Sequence, residues 1–471
     1  MIDFSKMDQY RENNRIEAKK ALGGLPHSIW ETYSAFANTL GGILLLGVEE
    51  HPDHSLHTVD LPDPARLIRE FWDIVNDPKK VSANILTDQQ VQTVTVGGDH
   101  IIAITVPRAL RQDRPVYIGG DPMSGSYRRS GEGDYRCTRD EVWSMLRDAA
   151  VQTQDMDILD RVDMDALDLD SIHRYRTHLQ RRRTGWETLP DREFLEQLGA
   201  AGRDTNGVLH PTAAGLLMFG TEPAIVRQFP NYALEYRAQA AEPEGPPDRI
   251  VSDSGDWSGN LYDFYRLVQE RLYGASSVHA VRDALREALV NCLLNADYHG
   301  KQGVVIARRG ERIVFSNPGA FRIAVERARS GGVSDPRNAA LTRMFHLVDL
   351  GERTGSGIPR IYAVWQQQGW EQPRIEERFS PDRTILQLVL DNAQREQPAT
   401  LMGGRPAAMG PIRKQMIIEY LTEHIRASAE ELADKLQLEP DRALAFLDEL
   451  MAEEIVIAHS DGPDRIYQLK A

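Results

Sequence analysis

The chain has 471 residues, 41% hydrophobic and 27% charged, with a formal net charge of −15 and a pI near 5.4. That length exceeds one ordinary core and predicts roughly three domains, while the acidic balance excludes a dominant electrostatic footprint for duplex nucleic acid, so any such binding has to be local and steeply salt-dependent. Two cysteines, Cys137 and Cys292, exclude a zinc cluster or a disulfide framework, and the longest apolar runs (43–48 and 213–219) exclude a membrane span. The opening Met-Ile-Asp-Phe-Ser-Lys is no apolar leader, and the expected location is the cytoplasm.

In chain order, Arg15-Ile-Glu-Ala-Lys-Lys20 predicts a strand that puts Arg15, Glu17 and Lys19 on one face, with Glu12 just before it. A helix is predicted over 28–38. A Gly41-Gly42 turn then leads into an apolar strand, Ile43–Val48, ending at Glu49-Glu50. Three carboxylates converging there, Glu12, Glu17 and Glu49, would suit Mg2+ or Mn2+ and the activation of water for phosphodiester cleavage. The plainer alternative is a set of surface pairs, each worth under about 1 kcal/mol. His51, His54 and His57 read as a polar loop. Residues 100–139 hold seven arginines against four acids. A nucleic-acid surface is expected from Lys19, Lys20, Arg108, Arg111, Arg114, Arg128, Arg129, Arg136 and Arg139, with Tyr127 placed to stack on a base. A helix is predicted from Thr138.

Seven aspartates between 155 and 170 predict a solvated acidic connector. Helices follow around Arg181–Arg183 and through Leu198, and His210–Gly220 reads as a glycine-rich packed helix. Residues 241–249 read as a loop between strands. The run from Arg286 to His299 predicts a helix in which Glu287 and Asn291, one turn apart, share a face. That spacing leaves two readings, a hydrogen-bonded amphipathic helix or a Mg2+ site. Arg312–Gly319 predicts a strand closing in a Pro-Gly turn. Asp335-Pro-Arg-Asn338 comes next, then a helix around 341–345. Gly351, Gly355 and Gly357 stand ahead of a further helix, where backbone N–H groups can approach phosphates.

Residues 393–411 read as a Gly/Pro/Ala-rich linker. Beyond it, helices over 413–424, 428–436 and 440–453 and a hairpin of 455–457 with 466–469 across Asp461-Gly462 are expected. Ser428 caps the second of these helices, with Glu431 three residues on. Residues 413–471 carry seven basic and thirteen acidic residues, so protein contact or dimerisation is at least as good a reading of this segment as duplex reading.

Two of these blocks resemble known families. Glu287…Asn291, Asn317-Pro-Gly319 and Gly351…Gly355-x-Gly357, taken in order, resemble the divergent GHKL-type ATPase domain that lies beside Schlafen-type AlbA domains in bacterial proteins called transcriptional regulators. Glu12…Glu17-x-Lys19, Phe36-Ala-Asn38…Gly41-Gly42, Leu46-Gly-Val48-Glu49 and Ser126-Tyr-Arg-Arg resemble the Schlafen AlbA domain itself. The C-terminal segment resembles a winged helix. The resemblance implies an α+β multidomain chain. It places an AlbA-like nucleic-acid-binding domain at 1–150, a connector at 151–249 and a GHKL-like α/β sandwich at 250–392, followed by the linker and a winged helix at 412–471.

It implies ATP and Mg2+ (or Mn2+) as cofactors. Glu287 would orient water and Asn291 would hold the metal. Asn317 and Gly319 would read the base, where the family pattern carries Asp in place of Asn317. Gly355 and Gly357 would cradle phosphates. Asp297 fits the family pattern, whereas Asn295 stands where it often carries His. The first functional reading is a nucleic-acid-binding, ATP-binding regulator acting on DNA or RNA, as a homo-oligomer and without a membrane partner. The alternatives are a metal-dependent Schlafen-like nuclease cutting RNA, tRNA or DNA in phage defence, and an oligomeric scaffold with degenerate sites.

Overall fold

The computed structural model describes residue 4, residues 10–186, 188–239, 248–351, 354–379 and 381–390, and then 417, 420–421, 426–435, 440–452, 455–459 and 465–469. Two compact units emerge, 1–393 and 394–471, both mixing helix and sheet. The expected linker at 393–411, most of the helix at 413–424 and the Asp461-Gly462 turn lie outside the described residues.

The first unit opens with β1 (Ile16–Lys19), α1 (Ile29–Asn38), β2 (Gly42–Leu46), β3 (Val48–Glu50), β4 (Leu56–Thr58), α2 (Pro64–Val75), β5 (Val91–Val96) and β6 (Asp99–Val106). Next come α3 (Pro122–Gly125), β7 (Tyr127–Ser130), β8 (Gly133–Arg136) and α4 (Arg139–Ala149). The main sheet runs β1-β2-β6-β5, with β1 parallel to β2 and the rest antiparallel. The Phe36…Gly42 block has a physical explanation. A Cβ on Gly42 would sit 2.7 Å from the Phe36 ring, so only glycine lets α1 lie this close to β2. Buried Asn38 is pinned between segments. It accepts from Val116 N–H at 2.8 Å and donates to the carbonyls of Val116 and Tyr127 at 2.8 and 3.1 Å. Thr138 and Glu141 form a reciprocal cap on α4.

The apolar run expected over 43–48 is broken. Gly47 adopts φ +81°, and the chain turns there out of β2 into β3, which pairs with β4 and not with the main sheet. Glu49 therefore lies on a separate hairpin.

The connector forms α5 (Leu169–Gln180), α6 (Asp191–Leu198), β9 (Ala201–Arg203), β10 (Leu209–Pro211), α7 (Ala213–Phe219) and α8 (Glu222–Gln228). Arg181–Arg183 follow α5 and are not within it. Every residue of α7 is buried, and a Cβ on Gly215 would fall 1.8 Å from the Ala200 carbonyl oxygen. The acidic stretch is not wholly solvated. Asp155 is buried, accepting from Thr153 Oγ1 at 2.5 Å and Leu341 N–H at 2.9 Å, with burial raising its pKa.

The central portion holds β11 (Leu234–Ala238), β12 (Asp248–Val251), α9 (Leu261–Tyr273), α10 (His279–Leu294), β13 (Val304–Arg309) and β14 (Arg312–Pro318). It continues through α11 (Val325–Ser330), α12 (Ala339–Leu347), α13 (Gly357–Gln368), β15 (Arg374–Arg378) and β16 (Arg383–Val389). Asp248 and Arg249, expected in a loop, begin β12, and residues 240–247 lie outside the described set. The sheet order is β12-β11-β13-β14-β16-β15. Helix α10 packs against β14, α9, α12 and α13. It stops at Leu294 rather than running to His299, because side chains satisfy its last carbonyls. Asn338 donates to Leu294 O at 3.0 Å and Tyr298 OH to Leu293 O at 2.8 Å. One core extends from Leu159 to Leu390, so connector and central portion fold together.

The described part of the second unit has a strand Arg426–Ser428, helices Ala429–Lys435 and Pro440–Ala452, and strands Val456–His459 and Ile466–Leu469, around buried Leu432, Leu447 and Tyr467. The strand at 426–428 was not foreseen. It pairs with 466–469, so the sheet has three strands rather than a hairpin alone.

Candidate functional site

Helix α10 carries Glu287 and Asn291 on the face toward the start of α13. The Asn291 amide donates to Glu287 Oε1 at 3.0 Å, and the carboxylate is buried. The backbone of Gly357 lies against both. A Cβ there would sit 2.1 Å from Glu287 Oε1 and 3.1 Å from Asn291 Nδ2. Gly355 has a different requirement. Its φ is +70°, and a Cβ would meet the Val333 carbonyl oxygen at 2.2 Å. At the end of β14, Asn317 is buried, its amide donating to the carbonyls of Pro318 at 3.2 Å and Asn295 at 3.4 Å.

A cavity of about 140 Å³ brings together Glu287, Asn291, Asn317, Gly355 and Gly357, with apolar walls from Phe315, Ile361 and Leu386. Gly319 is not on this wall. It adopts φ +96°, packs against Arg337 and lines a separate, wider cleft. Asn295 does line the cavity, while Asp297 is turned away, held by Arg147 at 2.9 Å and Ser144 at 3.2 Å. Cys292 also faces the cavity, and burial pushes its thiol up to about 12, leaving it inert as a nucleophile. One carboxylate and one carboxamide at this spacing form an oxygen donor set suited to a hydrated Mg2+, and a carboxylate so placed can orient a water.

The cavity's lip was missed in the sequence. Arg322, Asp335 and Arg337 line it, and each is gripped by the N-terminal portion. Arg337 forms a two-pronged pair with Asp148 at the end of α4, both distances 2.8 Å. Arg322 donates to the Asp148 carbonyl at 3.3 Å, and Arg111 to Asp335 at 2.5 Å. Burial opposes the Asp148 charge, yet Arg337 holds its carboxyl below the usual aspartate range. Two further pairs cross the same boundary, Arg108 with Glu377 at 2.6 Å and Arg128 with both oxygens of Asp382. Arg114 is buried beside them with no hydrogen-bond partner on Nε. Burial, and after it the charge of Arg108, lowers its pKa to about 9. The signal available in the sequence was the Asp335…Asn338 block, whose chemistry shows only against residues some 190 positions away.

The expected phosphate-contacting residues are thus largely engaged. Arg108, Arg111 and Arg128 hold carboxylates of the central portion. Arg129 is buried against Glu17 at 2.7 Å and Asp134 at 3.0 Å. Lys19 pairs with Glu17 at 2.5 Å and Lys20 with Glu49. Arg136 and Arg139 are exposed.

The three acids do not meet. Glu12 accepts from Ala18 N–H at 2.8 Å, and burial, with the charge of Glu17, pushes its pKa up against that bond. Glu17 faces Lys19 and Arg129, and Glu49 faces Lys20 and His51. Among the described residues no three His, Cys, Asp or Glu side chains converge as metal ligands. Nor is any described helix long and apolar enough to cross a membrane.

Residues 12–138 match the family described as "Schlafen, AlbA_2". Residues 302–385 match "Putative ATP-dependent DNA helicase recG C-terminal", and residues 143–235 match a domain of unknown function. Among solved structures, the N-terminal domain of the "Putative ATP-dependent DNA Helicase RecG-related Protein" from Nitrosomonas europaea is 30% identical, covering 29% of this chain and 95% of that one, with a TM-score of 0.23. The DIP2311 protein from Corynebacterium diphtheriae is 17% identical, with 97% of this chain and 95% of that one covered and a TM-score of 0.40. No curated protein matches. The matched domains mark a nucleic-acid-related protein. The chain is an AlbA-type Schlafen protein that carries an ATPase-like domain.

Proposed function

We propose that this protein is a nucleic-acid-binding regulator whose ATPase-like domain binds ATP with Mg2+. The observation that carries the reading is the single cavity that gathers Glu287, Asn291, Asn317, Gly355 and Gly357 from three elements far apart in sequence. In this reading Asn291 holds the metal and Glu287 orients water. The Asn317 amide is anchored by two carbonyls, leaving its oxygen as the acceptor toward a base. Gly355 and Gly357 keep the backbone near phosphates. Bound Mg2+ would neutralise phosphate charge. The α10–α13 layer over one mixed sheet supports a GHKL-like sandwich, and the two helices followed by a sheeted hairpin support a winged helix in the second unit.

At about 140 Å³ the cavity is smaller than the roughly 300–1,000 Å³ usual for ligand sites, so a nucleotide has to displace its lip. That lip is tied to the N-terminal domain through Arg337–Asp148 and Arg111–Asp335. ATP binding and the state of the nucleic-acid-binding domain are therefore linked, and linkage is reciprocal. The test is calorimetric titration of the full chain with ATP·Mg2+, alongside nucleic-acid affinity with and without ATP. Binding in the parent, weakened at least about tenfold in Asn291→Ala, and a nucleic-acid affinity that shifts with ATP, is the expected result. No heat with ATP at millimolar concentration would remove the nucleotide part of the reading. Unchanged nucleic-acid affinity would remove the coupling.

A further inference from the structure

Among the described residues, the large aromatic side chains are buried or half-buried with two exceptions, Tyr135 at 62% and Trp143 at 50% exposure. Both fall on one cleft of about 880 Å³ between the β7–β8 hairpin and α4 on one side and the 299–302 segment with Phe379, Pro381 and Asp382 on the other. Leaving a Trp and a Tyr open to water in one place, on a chain that covers its other aromatic rings, calls for something that covers them in use.

The charges around the rings narrow the occupant. Four acids line the cleft, and each is already answered. Asp382 is taken by Arg128, Asp297 by Arg147 and Asp140 by Lys301, while Glu141 caps α4 and lies 3.6 Å from Arg128. Arg136 is exposed on the rim, its guanidinium 6.0 Å from the Tyr127 ring, with no carboxylate at ion-pair distance among the described residues. The Lys301–Asp140 pair is exposed on both sides, so a phosphate can draw Lys301 away at little cost. Open aromatic faces flanked by releasable cations are what stacked bases and their phosphates require. A duplex keeps its bases inside and cannot use such faces.

We propose that single-stranded nucleic acid lies in this cleft, its bases stacked on Tyr135 and Trp143 and its phosphates met by Arg136 and Lys301. The proposal rests on the nucleic-acid-binding reading above and names the form of the partner and its place. It also sets the strand against two parts of the first unit at once, since Tyr135 lies in the AlbA_2 match, Trp143 on α4 just beyond it, and Lys301 just ahead of the ATPase-like match.

The experiment is fluorescence anisotropy of the full chain with labelled pyrimidine single strands, RNA and DNA, and with the matching duplexes. It is repeated for Tyr135→Ala, Trp143→Ala, Trp143→Phe and Lys301→Ala, with the mass in solution measured by light scattering. The expected result is single-strand binding weakened about tenfold by each aromatic-to-alanine change and largely kept by Trp143→Phe. Lys301→Ala is expected to lower the salt dependence by about one counterion. If the parent binds and the alanine variants bind equally well, the cleft is not the site, although the nucleic-acid reading stands. If they bind equally well but the mass falls, the rings cover a protein contact and the proposal is overturned. A preference for duplex overturns it too. A parent that binds no nucleic acid removes the underlying reading itself.

Discussion

At the scale of single residues, the pair formed by Glu17 and Arg129 decides how the N-terminal acids behave. Both are buried, and the guanidinium also lies 5.3 Å from the Phe36 ring. Removing Arg129 takes its guanidinium from Glu17 and Asp134 together and leaves Glu17 only Lys19, which costs about 3–5 kcal/mol, whereas replacing Glu17 and Arg129 together by apolar groups of similar volume costs less. Arg129→Ala is therefore expected to lower the denaturation midpoint sharply, and Glu17→Leu with Arg129→Met, which leaves Asp134 only its bond from Thr32, to recover part of it. Equal losses in the single and double variants would show that the pair is not coupled. Glu17 was legible as a candidate through the Glu12…Glu17-x-Lys19 block, whereas its alternation with Ile16 and Ala18 is the ordinary pattern of a half-buried strand. What it faces was not legible, since Arg129 is 112 residues away and strand periodicity says nothing about which later segment covers a face.

At the scale of elements, glycines mark where helices and strands approach most closely, and they separate two kinds of failure. Gly215 opposes the Ala200 backbone oxygen at 1.8 Å, so Gly215→Ala forces α7 off the segment that leads into β9 and should cost at least about 1–3 kcal/mol in a melt of the first unit. Gly357 opposes only side-chain ends, those of Glu287 and Asn291. Gly357→Ala should leave the melting profile nearly intact while weakening ATP binding about tenfold or more, because the displaced carboxylate is the one that shapes the cavity. A Gly357→Ala protein that melts early and binds ATP normally would contradict this assignment. The elements around these glycines were readable from composition. Helix α1, the start of α4 at Thr138, the Glu287–Asn291 face and the end of β14 at Pro318-Gly319 all stand where local pattern put them. Two boundaries were not readable. The strand after Gly42 breaks at Gly47, which needs φ +81°, and α10 ends at Leu294 because Asn338 and Tyr298 reach its carbonyls from elsewhere in the fold.

At the scale of the whole first unit, the AlbA_2 and ATPase-like portions are joined by arginine–carboxylate pairs rather than by an apolar seam. Asp148 has a depressed carboxyl pKa, since Arg337 outweighs burial. A depressed acid contributes stability that is fully present above its unfolded value, near 3.8, and is lost as pH falls through the lowered one. Amide exchange should therefore show α4 losing protection in acid below about pH 3.8 before α10 does. Asp148→Asn should bring that loosening to neutral pH. If α4 and α10 open together at every pH, the joint is not a separate unit of stability. None of this was visible in composition, which set a boundary near 150 on the strength of the aspartates that follow.

That boundary bears on how the protein can be divided. A fragment starting at residue 151 would retain every residue on the wall of the 140 Å³ cavity, yet Arg322 and Arg337 would lose the carboxylate and carbonyl of Asp148, and Asp335 would lose Arg111. The excised piece would present Arg337 at the mouth of its own pocket without its carboxylate, while Arg322 would keep only Asp335 at 3.5 Å. It would attract any anion offered, nucleotide or not. Affinity measured on the isolated piece would then describe an electrostatic trap made by the cut, so the smallest object on which selectivity for a nucleotide has meaning is the intact 1–393 body.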